Sequence, residues 1–204
     1  MKRQHSRPEE VFDLDASGDP YLLDYEAARS LTASDWQAGS REMERLAHSG
    51  SIMALLFVAE AMRDGRIYDQ DLPGAENWFN VAVESTSVRG LWGRALTHLY
   101  MGRTEEAVGE LEEAINRIYP PAMNSLARLY FTGTGVEKNK DKALALWRKA
   151  SKMGHLPSRR NLIIVYMRGE YGARRVILGL GVCFLYIFKL YAVYSGNRDT
   201  DRLR

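Results

Sequence analysis

The side chains of this 204-residue chain that could do acid–base, nucleophilic or metal chemistry are four histidines, one cysteine and a run of glutamates. His5, His48, His98 and His155 are scattered, with no His-x3-His or His-Glu-x2-His spacing to hold a metal, so no zinc or other metal site is expected. Cys183 lies in an apolar run with no histidine beside it, which suits a packed or lipid-facing thiol rather than a nucleophile. Glu105, Glu106, Glu110, Glu112 and Glu113 crowd one segment and read as a solvated helix face, not an acid/base pair. Gly133-Thr134-Gly135 is superficially like a phosphate loop. No strand pattern precedes it and no Gly-Lys-Ser/Thr follows, so a turn is the better reading and no cofactor is expected. The chain is therefore read as a binding protein rather than an enzyme. An enzyme or accessory enzyme subunit with an unrecognised site is the remaining alternative.

Length fits one medium domain or a short repeat array. Apolar residues at 46% and charged residues at 26% are near globular averages, so the chain buries a core. A single cysteine excludes an internal disulfide and a cysteine-based zinc site, and fits a reducing compartment. The formal charge of +2 hides an asymmetry: residues 1–118 carry 12 basic and 21 acidic groups, residues 119–204 carry 16 and 5. The basic half asks for a partner or a place. The opening Met1 to Glu10 is basic at first but no apolar stretch follows, so no cleaved secretory signal is expected.

From about residue 37 to 170 apolar residues recur at steps of three and four, and the chain reads as all-α. Residues 120–154 show the unit most fully. A first helix buries Ala122, Leu126, Leu129 and Tyr130; Gly133 and Gly135 permit the positive-φ turn that ends it. Asp141 stands where a cap would serve a second helix, whose Ala143, Trp147 and Ala150 share one face. The same four-three spacing recurs at Ala75-Phe79-Ala82 and Ala107-Leu111-Ala114, with a partial copy at Gly39-Met43-Leu46. Landmarks ending the first helices are set at Met62, Tyr100, Tyr130 and Tyr166. They precede Ala75, Ala107, Ala143 and Gly179 by 13, 7, 13 and 13 residues. From Gly39 the second-helix landmarks succeed one another by 36, 32, 36 and 36 residues, and hairpins repeating at such a period, none able to bury its face alone, make an α/α solenoid.

The segment LARLYFTGTGVEKNKDKALALWRKASKMG resembles the Sel-1-like repeat, the looped relative of the tetratricopeptide repeat. It has the Leu-small-x-Leu-Tyr helix, the Gly-x-Gly-Val loop and the Ala-x3-Trp-x2-Ala helix. Residues 56–82 keep the helices but lose the double-glycine loop; LTHLYMGRTEEAVGELEEAI has the short loop of an ordinary tetratricopeptide repeat; RNLIIVYMRGEYG keeps only the first helix and loop. The resemblance covers residues 50–172 well and 36–49 weakly. It implies protein binding and complex assembly, and names no partner.

The expected organisation is a leader at 1–35, a solenoid of about four repeats at 36–172, a hydrophobic helix at 173–196 and a polar tail at 197–204. The leader holds two acidic clusters, and a mobile segment and a short capping helix both fit it. Val176 to Tyr194 are nineteen residues with one charge, Lys189, about 28 Å long as a helix and apolar all round through Val176, Leu180, Phe184 and Phe188. Flanking arginines and tyrosines suit a single-pass membrane anchor with a cytoplasmic repeat domain, with Lys189 snorkelling. Gly179, Cys183 and Tyr186 also fall in repeat register, so a buried terminal helix or dimer interface in a soluble protein is the alternative.

Binding is expected on a concave face lined by first helices. Counting back two and six residues from each landmark selects Arg128 and Asn124, His98 and Arg94, Ile164 and Arg160, and Glu60 and Leu56, with Phe131 and Met101 one position beyond a landmark. An arginine ladder of Arg94, Arg128 and Arg160 beside an aromatic suits an acidic peptide or terminal carboxylate, though a solvated surface with local salt bridges would look the same. The expected function is a non-enzymatic adaptor that recruits a protein to a membrane, the alternative a soluble interaction module. Self-association is compatible with either, the basic stretch Lys138 to Lys152 could rest on lipid headgroups, and no nucleic acid is expected.

Overall fold

A computed structural model describes residues 18–168 and Phe184. The expected leader before Gly18 and the expected 173–196 helix lie outside the described residues, apart from Phe184, which is helical and exposed. Among the described residues no helix is long and apolar enough to cross a membrane.

Nine α-helices follow one another among the described residues: α1 (Leu22–Ser34), α2 (Trp36–His48), α3 (Ile52–Asp64), α4 (Leu72–Glu84), α5 (Val88–Tyr100), α6 (Thr104–Asn116), α7 (Pro120–Thr132), α8 (Lys140–Lys152) and α9 (Leu156–Met167). Each packs on the next in sequence, so α1/α2, α3/α4, α5/α6 and α7/α8 are hairpins, and α9 is the first helix of another. No strand forms among these residues, and the fold is an all-helical solenoid.

The buried faces follow the four-three spacing. Met43, Leu46, Ala75, Phe79, Ala82, Ala107, Leu111, Ala114, Ala143 and Ala150 are fully buried, and Trp147 is 3% exposed. In the triads of α4, α6 and α8 a large side chain sits between alanines, which lets the neighbouring helix approach closely. Gly93 of α5 is the clearest instance: a β-carbon there would meet the Phe79 ring at 2.2 Å.

Caps explain the boundaries. Asp35, Ser51, Asp71, Ser87 and Asn139 each accept a hydrogen bond from the backbone N–H three residues on, opening α2, α3, α4, α5 and α8. Asn139 therefore caps α8, and Asp141, expected to do so, lies in its first turn, where a carboxylate suits the helix dipole instead. Gly133, at φ 79°, ends α7 as expected.

One turn is used between hairpins every time. Gly50, Thr86, Ile118 and Gly154 all have positive φ, and the residue after each donates its N–H to a carbonyl five residues back, as Ser51 does to Leu46 and Tyr119 to Ala114. Before the first hairpin, buried Asp19 accepts from Ser51 Oγ and Met53 N, both at 2.8 Å, and fastens the entry to α1 onto the start of α3.

Candidate functional site

Because α3, α5, α7 and α9 begin at residues 52, 88, 120 and 156, equivalent positions are set by distance from those starts. On this measure Met62, His98, Tyr130 and Tyr166 are equivalent. The landmark placed at Tyr100 is thus two residues late: the α5–α6 loop has three residues where α3–α4 and α7–α8 have seven, so the spacing falls from thirteen to nine and the landmark belongs at His98. Tyr100 is 61% exposed, as no helix-ending core residue would be.

The two-residue shift separates the expected arginine ladder. Arg94 is equivalent to buried Val58, Leu126 and Leu162, and it points between second helices: its Nε is 2.7 Å from Glu110 Oε1 and its Nη1 2.8 Å from Asn80 Oδ1. His98 is 4% exposed. Its Nε2 lies 3.0 Å from Glu76 Oε1 on α4, and its Nδ1 3.1 Å from Glu110 Oε2 on α6. The second contact lacks hydrogen-bond alignment. Arg103 reaches both oxygens of Glu76, at 2.9 and 3.1 Å. Burial pushes the Glu110 carboxyl up despite Arg94 and His98, whereas the hydrogen bond from His98 and then Arg103 hold Glu76 below the ordinary carboxylate value. This network ties α4, α5 and α6 together.

Of the other expected residues, Arg128 and Arg160 are exposed, and their guanidinium groups have no protein partner among the described residues. Asn124 is half-buried and accepts at Oδ1 from Ser158 Oγ, 3.2 Å, and Asn161 Nδ2, 2.9 Å. Phe131 packs on Trp147, ring centroids 5.3 Å apart, with Lys140 Nζ over its face. The structure thus leaves Arg128 and Arg160 on a free surface, with Asn124 beneath them, and turns Arg94 and His98 away from it.

That surface runs along the first helices, on the side away from the second helices. Equivalent positions form the rows Trp92, Asn124, Arg160; Glu60, Leu96, Arg128, Ile164; and Asp64, Tyr100, Thr132, Arg168, whereas Leu56, the α3 counterpart of Trp92, is fully buried with Ala75, Phe79 and Ala82 of α4. Side chains bind consecutive first helices into one strip: Arg89 to Glu60, Trp92 Nε1 to Ser125 Oγ at 3.0 Å, and Asn124 to Asn161. Tyr100 and Ile164 are exposed on it at 61% and 40%. The strip is acidic at Glu60 and Asp64 and basic at Arg128, Arg160 and Arg168. Tyr100, Leu96 and Trp92 were missed because the misplaced landmark moved the count off the exposed ridge; aligning on helix starts recovers them. Among the described residues no group of His, Cys, Asp and Glu is arranged to hold a metal.

Residues 120–155 match the family model of the Sel1 repeat. The fold is similar to that of a Sel1 repeat protein from Oxalobacter formigenes, at 16% identity over 78% of this chain and 69% of that one, TM-score 0.60. It is also similar to a protective antigen with an SLR fold present in uropathogenic Escherichia coli strains, at 19% identity and TM-score 0.58, covering 80% of this chain and 37% of that one. An immunity protein from Pseudomonas aeruginosa shares the fold at 20% identity, TM-score 0.56, over 79% of this chain and 63% of its own. No curated protein matches this chain in sequence.

Proposed function

From a chain that carries a Sel1 repeat and has the fold of Sel1-repeat proteins, we propose a non-enzymatic binding scaffold whose first-helix strip captures a segment of another protein. The observation that carries this is the side-by-side exposure of Tyr100 and Ile164 with Arg128 and Arg160, whose guanidinium groups have no partner among the described residues. An exposed aromatic on the same face as free arginines is the residue pattern of an interface anchor. The strip's polarity selects the ligand: apolar side chains over Trp92, Leu96 and Tyr100, then carboxylates over Arg128 and Arg160, which bind them bidentately.

Selection from a displayed peptide library tests the reading. Bound peptides should be enriched in an apolar residue followed by acidic ones, and Tyr100→Ala or the pair Arg128→Glu and Arg160→Glu should weaken the selected peptide at least about tenfold. Binding unchanged by these substitutions removes the proposal.

The apolar segment 176–194 favours a second, additional reading, in which the scaffold is tethered to a membrane. Resistance of the full chain to alkaline carbonate extraction, lost on deletion of 176–194, supports it; release of the full chain into the carbonate supernatant rejects it.

A further inference from the structure

The second helices carry a charge pattern that the first-helix strip does not use. Aligned by their starts, α6 and α8 place Glu106 level with Lys142, Gly109 with Ala145, Glu112 with Arg148 and Glu113 with Lys149. All eight residues are exposed. One ridge is acidic and its neighbour basic, at matching heights, and each has a small residue midway. Between them opens a cleft of about 450 Å³, with Leu126 and Tyr130 of α7 as its floor and Ile115 and Leu146 on its walls.

Local partners satisfy only part of this charge. Glu113 pairs with Arg117, Lys142 lies over the Tyr130 ring, and Arg148 Nε donates to Tyr166 Oη. Glu112 and Lys149 form no ion pair among the described residues.

We propose that this face is the interface of a two-fold dimer of the chain, with α6 of each copy lying on α8 of the other. Two surfaces related by a two-fold axis must be self-complementary. An axis along the cleft, parallel to the helices, exchanges the two ridges and preserves height. It therefore sets Glu106 opposite the partner's Lys142, Glu113 opposite the partner's Lys149, and Gly109 opposite the partner's Ala145, where the absence of bulk allows close approach. An axis across the helices would set acid on acid and base on base, so the charges select one arrangement and oppose the other. Closure covers the apolar floor of both clefts. The surface lies on the opposite side of the array from the first-helix strip, so a dimer would present two strips outward and bind bivalently.

Sedimentation equilibrium of the full chain tests this with paired charge reversals. The wild type should dimerise, with its dissociation constant rising about tenfold or more from low to high salt. Glu106→Lys with Glu113→Lys, and separately Lys142→Glu with Lys149→Glu, should each yield monomer. Their mixture should restore a one-to-one dimer, an outcome that association through 176–194 would not give. A monomeric wild type, self-association undiminished in either variant, or a mixture that stays monomeric with both components helical by circular dichroism would overturn the proposal. As a readout that leaves the charges in place, Gly109→Cys and Ala145→Cys chains, each with Cys183→Ser, should form a disulfide-linked heterodimer when mixed under oxidation. Failure to crosslink in folded chains would also overturn it.

Discussion

Arg94 Nε and Glu110 Oε1, 2.7 Å apart, join α5 to α6 in a hairpin whose connecting loop has only three residues. Their side chains are 23% and 14% exposed. Removing either leaves the other partly buried without its counter-charge, at a cost below that of a sealed pair, roughly 2 kcal/mol. Arg94→Ala should therefore lower the urea midpoint of unfolding clearly while leaving peptide capture by the folded protein unchanged. A normal midpoint with lost capture would return Arg94 to the binding face.

The two carboxylates around His98 respond to pH with opposite sign. Glu76 is lowered by its bonds to His98 and Arg103, so its stabilisation is present above the ordinary glutamate value of about 4.3 and is lost as pH falls through its folded value. Glu110 is raised by burial, so its contribution is present below that value and is lost as pH rises through its folded one. Urea titrations across the acid range should show Glu76→Gln flattening the loss of stability at low pH. Glu110→Gln should steepen the gain between the ordinary carboxylate value and neutrality. Equal and parallel changes in both variants would contradict these directions.

Helix faces were legible in the sequence because each is fixed by a local rule. Ala75-Phe79-Ala82 and its counterparts lie on one face whatever surrounds them, and all are buried. Register across the short α5–α6 loop was not legible from a single aromatic landmark. Tyr100 looked equivalent to Tyr130, but the buried equivalent is His98, a polar residue that only Glu76 and Glu110 make tolerable there. A tertiary ion network had replaced an apolar contact, and no period in hydrophobicity records that. The cap of α8 failed for a smaller reason: Asn139 and Asp141 are both good capping types, and backbone geometry decides between them.

Ile118 occupies the turn position that is glycine at residues 50 and 154, with φ at 61°. A β-branched side chain is strained there, and this one is 63% exposed, so it repays little by packing. Ile118→Gly relieves the strain at the expense of a more flexible unfolded chain, for a net gain of about 1 kcal/mol, or roughly 3 °C in Tm for a protein of this length. Calorimetry checks it. A fall in Tm would mean that Ile118 contributes through contacts its exposure does not suggest.

His155 opens α9, and its Nδ1 lies 2.8 Å from Ser158 Oγ, which in turn donates to Asn124 Oδ1. With its proton spent on Asn124, the Ser158 hydroxyl must accept, so the ring donates from Nδ1 and the neutral tautomer with the proton there satisfies the chain. Burial lowers the His155 pKa from its ordinary 6.5. The unfolded chain therefore takes up its proton first as pH falls, and the stabilisation present above 6.5 is lost as pH drops through the lower folded value. Because the chain of bonds runs from α9 to Asn124 of α7, that loss should reach the basic end of the first-helix strip. His155→Asn, which keeps a side-chain donor near Ser158 but does not titrate, should reduce the fall in stability between pH 7 and pH 5 measured by urea unfolding. Hydrogen-exchange protection factors, taken against the intrinsic rate at each pH, should fall at the start of α9 at pH 5 in the wild type and not in the variant. An unaltered pH profile in the variant would show that the ring is solvated well enough to titrate as in the unfolded chain.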